Sequence, residues 1–360
     1  MKNRNRRLLL TALLFSSLMS VEAAAQTDVH ILDVGQGLSV LVESQGHYML
    51  YDGGDSDKSS YVVSYLQQEG VPSLDYVVAS HYDADHLNGV VDALNAFPVS
   101  NVWGPDYVTD TGIFESFTST LSAKGLSKTQ PAAGSTVQLG DASIQVLAPS
   151  GSNYSDFNNY SIAIRVQDGN KSFLITGDAE ADSEAQMVAS GLNLDSDVYV
   201  MGHHGSGTST SWDLLQKATP EFAVLSCGTG NSYGHPHVES MEKLQSMGIQ
   251  LLRTDKQGNL VASTDGNTIT WNVSPCNDYA PGDPNDKPAQ PQQSSTGDSS
   301  SASVSSGQTA AATVYWTPGG KSYHNSRDCS TLKRSKTINE GSLNDALAAG
   351  KADPCNVCVK

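Results

Sequence analysis

Four potential metal ligands lie within six residues of one another, directly after an apolar stretch. The stretch YVVAS has the composition of a buried strand, and HYDADHLNG follows it. The four side chains are His81, Asp83, Asp85 and His86. On a tight turn from a strand into a helix they can converge on one point, and imidazole with carboxylate suits Zn²⁺ or Mn²⁺. The window therefore predicts a metal site at the end of a strand.

Three later apolar stretches also end in polar side chains of this kind. FLIT is followed by a glycine and Asp178, and VYVMG is followed by His203 and His204. FAVLSCG is followed by a loop with the motif GHPH, which holds His235 and His237. Loops that follow strand ends commonly carry chemistry. These side chains are therefore further candidates for the same site.

Over most of the chain, short β-rich stretches alternate with helical segments. VHILDV, SVLVES and YMLYDGG are predicted strands separated by only a few residues, which favours adjacent antiparallel pairing. Helices are predicted over residues 180–190 and 238–247. His30 and His47 lie within or beside the first strands, where we expect structural roles. The pattern predicts an α/β fold, built as a layered sandwich, over residues 26–275.

The two ends of this region differ from it in composition. Residues 1–25 combine basic residues, an apolar run and a final Ala-Ala-Ala, which is typical of a secretory signal peptide cleaved before Gln26. The apolar run is shorter than the roughly 20 residues that span a bilayer. We therefore expect a secreted protein without stable membrane association. Residues 276–312, rich in Ser, Pro and Gln, are predicted to be a flexible, disordered linker.

The net charge of −17 limits the surfaces to which the chain can adhere. Such acidity argues against broad electrostatic binding to nucleic acid or anionic lipid. A nucleic-acid substrate would therefore have to be held by metal ions and local contacts.

The last segment, residues 313–360, is so short and so poor in apolar residues that it needs a cross-link to fold. Its candidate ligands for one structural Zn²⁺ are His324, Cys329, Cys355 and Cys358. Disulfides formed during export are the alternative, although the odd count of 5 cysteines leaves at least one unpaired or ligated. The segment resembles the small metal-binding module of the Ada DNA-repair protein, which implies a zinc-binding α+β module.

Seven motifs together carry a more specific resemblance. They are DVGQG (33–37), YDGG (51–54), SHYDADHLNG, NNYSIAIRV, LITGD, HHGS and GHPH. With these motifs in this order, residues 28–273 resemble the metallo-β-lactamase superfamily, and in particular the hydrolase domain attached to the DNA-uptake channel ComEC. The resemblance implies an αββα sandwich that holds two divalent metal ions.

The resemblance also implies which residues bind the metals. The family pattern HxHxDH appears as His81, Asp83, Asp85 and His86, Asp178 matches the bridging carboxylate, and His235 matches the last histidine ligand. Asp83 stands where relatives have histidine, and Asn159 stands where many of them have another. Because carboxylate and amide are harder ligands than imidazole, we expect Mn²⁺ to compete with Zn²⁺.

Catalytic roles follow from the same resemblance. Two metal ions would activate a bridging water as hydroxide and stabilise a phosphoryl transition state. His204, with His203 and Ser206 nearby, is the candidate acid or phosphate-orienting group, unless one of the two histidines is a direct ligand. His237 is either catalytic or a supporting surface residue. Asp33 and its neighbouring glycines either approach the metal pocket or form an ordinary hairpin.

These features predict a secreted metal-dependent phosphodiesterase, and most specifically a nuclease that cleaves extracellular or periplasmic DNA. A cell-wall phosphodiesterase of the phosphorylcholine esterase type resembles the chain in its DVGQG and HHG motifs and stays an alternative. A polyanion-binding protein with a degenerate hydrolase domain is another. β-Lactam hydrolysis is disfavoured because the expected histidines are missing at positions 83 and 159.

Overall fold

Two units make up the chain, residues 1–291 and 292–360, and they are described separately. The computed structural model describes residues 26–286, 313–318, 322–324, 327, 329, 331–333, 335, 337–342, 346 and 353–354. The predicted signal peptide therefore lies outside the described residues. Within the part that is described, no helix is long and apolar enough to cross a membrane.

The first unit contains two sheets. The first sheet has the strand order β15-β14-β1-β2-β3-β4-β5-β6. Its strands are β1 (Thr27–Ile31), β2 (Val40–Ser44), β3 (His47–Tyr51), β4 (Leu74–Val78), β5 (Val99–Trp103), β6 (Lys128–Thr129), β14 (Leu260–Thr264) and β15 (Ile269–Trp271). The first three strands pair antiparallel, as predicted from their short connections. From β3 to β6 the pairing is parallel.

The second sheet has the strand order β13-β12-β11-β10-β9-β8-β7. Its strands are β7 (Thr136–Leu139), β8 (Ala142–Val146), β9 (Ile164–Asp168), β10 (Lys171–Ile175), β11 (Val198–Val200), β12 (Phe222–Leu225) and β13 (Gln250–Arg253). Strands β10 to β13 run parallel to one another. Their carboxyl ends therefore meet at one edge of the sheet.

Helices cover the outer face of each sheet. They are α1 (Ser59–Gln68), α2 (Ala84–Ala96), α3 (Gly112–Lys124), α4 (Ala181–Ala189), α5 (Trp212–Ala218), α6 (Val238–Met247) and α7 (Thr254–Gln257). Local signals set the ends of α3, where the Thr111 hydroxyl accepts a hydrogen bond from the Phe114 N–H and Gly125 adopts a left-handed conformation. Helices α4 and α6 confirm the two that the sequence predicts.

Alternating side chains explain the layering. On β1, Val29 and Ile31 point into the core between the two sheets, where they meet Phe173 and Ile175 of β10. A second apolar cluster joins α1, α2 and α3 to the first sheet, and a third joins α4, α5 and α6 to the second. The result is the predicted four-layer αββα sandwich.

The composition of residues 276–286 predicts a linker, but in the structure these residues belong to the first unit. The Arg253 guanidinium donates to the carbonyls of Asp278 and Ala280, at 2.9 and 2.7 Å. The Tyr279 hydroxyl donates to the Ile249 carbonyl at 2.6 Å. These contacts are hydrogen bonds to backbone carbonyls, so the low apolar content of the segment does not reveal them.

The second unit contains a four-stranded sheet with the order β18-β16-β17-β19. Its strands are β16 (Thr313–Trp316), β17 (Ser322–His324), β18 (Asn339–Ser342) and β19 (Asp353–Pro354). Both His324 and Cys329 are buried, and both lie beside the Thr331 hydroxyl, at 3.4 and 3.1 Å. Cys355 and Cys358 lie outside the described residues. The structural zinc site and the Ada-type module therefore stay predictions.

Candidate metal centre

Four buried side chains meet where β4, β10 and β11 end. They are His81, His86, Asp178 and His204. The Nε2 atom of His86 lies 3.1 Å from Nε2 of His204 and 3.2 Å from Oδ1 of Asp178. The other oxygen of Asp178 lies 3.4 Å from Nε2 of His204. Three metal-ligating groups from distant parts of the sequence thus point at one small volume.

His81 completes one possible ligand group and Asp85 completes another. The ring of His81 is fully buried beside that of His86, with the centroids 4.2 Å apart. Ligand atoms of His81, His86 and Asp178 lie within 4.8 Å of one another. The same holds for Asp85, His86 and His204. The two groups share His86, so they describe one continuous centre.

The second nitrogen of each imidazole is held by the surrounding protein. Nδ1 of His86 bonds to Asp52 at 2.7 Å, and Nδ1 of His81 bonds to the Ser80 hydroxyl at 3.0 Å. Nδ1 of His204 donates to the Ser226 carbonyl at 3.0 Å. Such partners fix the ring and leave Nε2 to bind a metal.

Unsatisfied buried atoms show that the centre fits a cation. Nε2 of His81 and Oδ1 of Asp178 are buried and lack a hydrogen-bond partner among the described residues. The 3.2 Å approach of His86 to that oxygen is an ion-pair contact without hydrogen-bond geometry. Buried polar atoms are rarely left without partners. A divalent ion with nitrogen and oxygen ligands would satisfy both atoms.

Interactions between the charged groups of the centre shift the pKa values of its ligand residues. Burial disfavours the carboxylate of Asp178, but the His86 and His204 imidazoles outweigh it and hold the pKa of Asp178 well below its usual range. Burial likewise opposes the charge on His204, yet Asp178 raises the pKa of His204 to about 9. Burial, reinforced by neighbouring histidines, lowers the pKa of His81 to about 4 and that of His235 to about 3. These last two rings are neutral at physiological pH, the form that binds a metal, whereas an ion bound by His204 would displace the proton that Asp178 holds on its ring.

The remaining predicted ligands lie at the rim of the centre. The His235 ring lies 5.4 Å from that of His203, and the Nε2 atom of His203 is 3.7 Å from Asp178. The side chain of Asp83 is 59% exposed, and its carboxylate lies 3.9 Å from Nε2 of His81. Asp83 can therefore approach an ion only from the solvent side.

The DVGQG loop meets the centre through Gly37, its last residue, and not through Asp33. The Asp33 carboxylate accepts from Gly35 N–H and lines a separate cavity beside Lys58. Gly37, with a φ of +139°, lies so close to the Asp85 backbone that any added Cβ would overlap the Asp85 carbonyl oxygen. The loop therefore packs directly against a ligand residue.

Three other predicted site residues serve the surrounding framework. Both ring nitrogens of His237 face backbone groups, the Gly207 N–H at 2.9 Å and the Tyr233 carbonyl at 3.2 Å. The Asn159 side-chain oxygen accepts from the N–H groups of residues 180 and 183, at 3.1 and 3.0 Å. The Ser206 hydroxyl contacts that of Thr208 at 2.9 Å. These three residues therefore support the site by holding its loops in place.

Asp52 is a residue of the centre that the sequence reasoning missed. It is fully buried, adopts a φ of +57°, and bonds to the Ser80 N–H at 2.7 Å as well as to His86. The only sequence signal was its place in the motif YDGG, where an aspartate before two glycines also fits an ordinary turn.

Replacing Asp52 with asparagine is expected to weaken metal binding about 10- to 100-fold, since partners of ligand histidines typically contribute that much. Asparagine keeps the shape but removes the charge that holds the His86 Nδ1 proton. Competition with a metal-binding dye measures the affinity. Asp197→Asn makes the same change at an aspartate bound to Lys171 and the Ser172 N–H. Equal losses in both variants would contradict a specific role for Asp52.

A cavity of about 530 Å³ adjoins the centre. Asp83 and Asp85 line it on one side, and the start of α3 at Thr111 and Gly112 lines it on another. Tyr233 also lines it, is 65% exposed, and stacks on the His235 ring with centroids 5.6 Å apart. The arrangement leaves the centre accessible to a substrate from this side.

Comparison with known proteins supports the family resemblance that the motifs indicate. ComE operon protein 3 of Bacillus subtilis is 27% identical over 270 residues, covering 70% of this chain and 35% of the relative. Competence protein ComA of Neisseria gonorrhoeae is 35% identical over 234 residues, covering 64% and 31%. Recombination protein 2 of Haemophilus influenzae is 35% identical over 221 residues, covering 60% and 26%. The chain spans about a third or less of these relatives.

The family model described as the metallo-β-lactamase superfamily matches residues 32–228, which is more than half of the chain. This stretch includes the DVGQG loop, the ligand window and the paired histidines after β11. The resemblance predicted from the motifs, including its competence-protein branch, is confirmed. The chain belongs to the metallo-β-lactamase superfamily, a family of metal-dependent hydrolases.

Proposed function

We propose that this chain is an exported metal-dependent phosphodiesterase that cleaves DNA. The observation that carries the proposal is the convergence of His81, His86, Asp178 and His204 beside an accessible cavity. The near-complete ligand set argues against a degenerate hydrolase domain. The names of two relatives, a competence protein and a recombination protein, favour a nucleic acid over other phosphodiesters.

Metal binding would involve the whole centre. The proposed ligands are His81, Asp83, Asp85, His86, Asp178 and His235. The position of His204, with Nε2 facing Asp85 and Asp178 at 3.4 Å each, favours its assignment as an additional ligand. When bound, two divalent ions would act as Lewis acids that activate water and neutralise the phosphate charge. Manganese and zinc are both compatible with these nitrogen and oxygen ligands.

His203 is the better-placed proton donor. Its ring is partly exposed, and its Nδ1 atom is oriented by Glu180 at 3.3 Å and by the Thr208 hydroxyl at 3.2 Å. Its Nε2 atom faces the rim of the centre, 3.7 Å from Asp178. A histidine at this position can protonate the alkoxide that leaves when a DNA phosphodiester is cleaved.

The exposed face of Tyr233 suits a nucleobase. Stacking on an aromatic side chain contributes about 1–3 kcal/mol per base and does not depend on positive charge. This mode of binding is compatible with the acidic chain, because bound metals and ring stacking would replace the usual basic surface. Tyr233 lies beside His235, so a base on this ring would be close to the metals.

Replacing His203 with glutamine is expected to lower kcat on DNA by about 10²- to 10⁴-fold, the usual contribution of a general acid. Hydrolysis of bis(p-nitrophenyl) phosphate should stay within about threefold, because nitrophenolate leaves without a proton. Steady-state rates on both substrates test this. A similar fall on both substrates would identify His203 as a structural or metal-binding residue.

The function itself is tested by incubating the purified chain with single-stranded DNA, duplex DNA, RNA and a phosphorylcholine ester. Each substrate is combined with Mn²⁺, Mg²⁺ or Zn²⁺. We expect DNA cleavage that a chelator abolishes and Mn²⁺ restores. Turnover of the choline ester without cleavage of nucleic acid would instead establish a cell-wall esterase. Polyanion binding without turnover, retained after Asp85→Ala, would establish a binding protein.

A further inference from the structure

A second group of metal-ligating side chains lies on the outer face of the first sheet. Asp28 and His30 alternate on β1 with Val29, which points into the core between the sheets. Glu43 on β2 lies directly opposite Asp28 in the antiparallel register. The three side chains therefore share one face. None of them belongs to the metal centre described above.

His30 is the buried member of this group. The residue is 5% exposed, and its Nδ1 atom bonds to the Tyr65 hydroxyl at 2.8 Å. Its Nε2 atom is buried and has no hydrogen-bond partner within the described part of the chain. Because Nδ1 is engaged, Nε2 is the nitrogen left to bind a ligand. Burial lowers the pKa of His30, which favours the neutral ring that metals require.

Neither of these two strands carries a lysine or arginine that would balance the charge of the carboxylates around His30. Asp28 and Glu43 are like charges placed directly across two strands, an arrangement that destabilises a sheet. Burial raises the pKa of Glu43, and the charges of Asp28 and Glu69 add to this effect, while a hydrogen bond from the Tyr48 hydroxyl at 3.3 Å opposes it. A bound cation would remove this repulsion.

We propose that Asp28, His30 and Glu43 form a second metal site, for a divalent transition-metal ion such as Zn²⁺. One ligand atom from each of the three lies within 4.8 Å of the other two. Imidazole nitrogen and carboxylate oxygen are both zinc ligands, and water would complete the coordination. The imidazole disfavours Ca²⁺ and Mg²⁺, which prefer oxygen ligands.

The site would cross-link the first strand to the second. Strand β1 continues into the DVGQG loop, whose Gly37 packs on the Asp85 backbone. A metal that ties β1 to β2 would therefore stabilise the strand that supports this loop. Its role is structural, so it stands whether or not the chain is a nuclease.

Zinc content of the full chain tests the proposal. The wild type, His30→Gln and Glu43→Gln are dialysed to equilibrium against the same micromolar Zn²⁺ and analysed by mass spectrometry for metal. We expect each variant to hold one zinc ion per chain fewer than the wild type. The rise in Tm on adding zinc should also be smaller in both variants.

His47→Gln is the matched control, since His47 also lies on the first sheet beside a carboxylate, Asp75, at 3.3 Å. It should keep the wild-type zinc content. If circular dichroism shows that His30→Gln does not fold, the zinc content of Glu43→Gln decides, because the Glu43 side chain is partly exposed. Wild-type zinc content in the folded variants, or an equal loss in His47→Gln, would overturn the proposal.

Discussion

Asp178→Asn is expected to lower kcat/KM at least about a thousandfold and to reduce the metal content of the purified chain. Asp178 is 4% exposed and lies between His86 and His204, with one of its oxygens facing each. Asparagine removes the negative charge and one of the two oxygen ligands. Loss of a metal ion removes several kcal/mol of transition-state stabilisation, and each 1.4 kcal/mol corresponds to about tenfold in rate.

Asp168→Asn provides the matched control for this change. Asp168 is also buried, and it ends β9 at the opposite end of the β9–β10 hairpin from Asp178. Both variants should fold, as judged by circular dichroism, and only Asp178→Asn should lose metal and activity. Activity near the wild-type level in Asp178→Asn with full metal content would refute its assignment as a ligand.

Strand ends explain why so much of the centre could be predicted from sequence. Asp178, His204 and His235 follow β10, β11 and β12, which run parallel, so their carboxyl ends meet at one edge. An apolar stretch followed by a ligand is visible in the sequence, and parallel order then brings the ligands together. Short connections and the alternation of strands and helices made a layered α/β sandwich predictable, whereas its αββα order came from the family resemblance.

Contacts across the fold could not be predicted in this way. Asp52 reaches His86 only because β3 and β4 pair in parallel and place it beside Ser80. His203 and His204 are adjacent in sequence, and both have positive φ, near +50°. This turn places the His203 ring at the rim and the His204 ring in the centre. No spacing rule separates their roles.

Asn159 shows a limit of carrying a motif across a family. It stands where relatives have a ligand histidine, yet its side-chain oxygen is occupied by two backbone N–H groups at the start of α4. The expectation that Mn²⁺ competes with Zn²⁺ therefore rests on Asp83. A single exposed carboxylate is weaker support than the two hard ligands that the sequence suggested.

A glycine outside the ligand set holds the helix that carries two of the ligands. Gly89 on α2 touches Gly53, and a Cβ added to either would overlap backbone atoms of the other. The Gly53 N–H donates to the carbonyl of His86 at 2.8 Å, and the Gly89 N–H donates to that of Gly54 at 3.3 Å. This backbone contact fixes the first turn of α2, which carries Asp85 and His86.

Gly89→Ala is expected to destabilise the first unit by about 3 kcal/mol, the upper part of the range for overpacked interiors. The overlap is with backbone, so no side-chain rotation can relieve it, and the helix must move. Such a loss corresponds to a fall in Tm of roughly 10 °C for a domain of this size. Metal affinity should fall as well, because the displaced turn carries two ligands.

Thermal unfolding of the metal-free chain measures the first effect, and metal titration of the folded variant measures the second. Gly112→Ala is the control for stability, because Gly112 begins α3 with open space around its Cα. It should change stability by no more than about 0.5 kcal/mol. If Gly89→Ala unfolds at the wild-type temperature, the glycine pair does not hold α2 in place. The orientation of Asp85 and His86 would then depend on other contacts of this turn, such as those with Asp52 and Gly37.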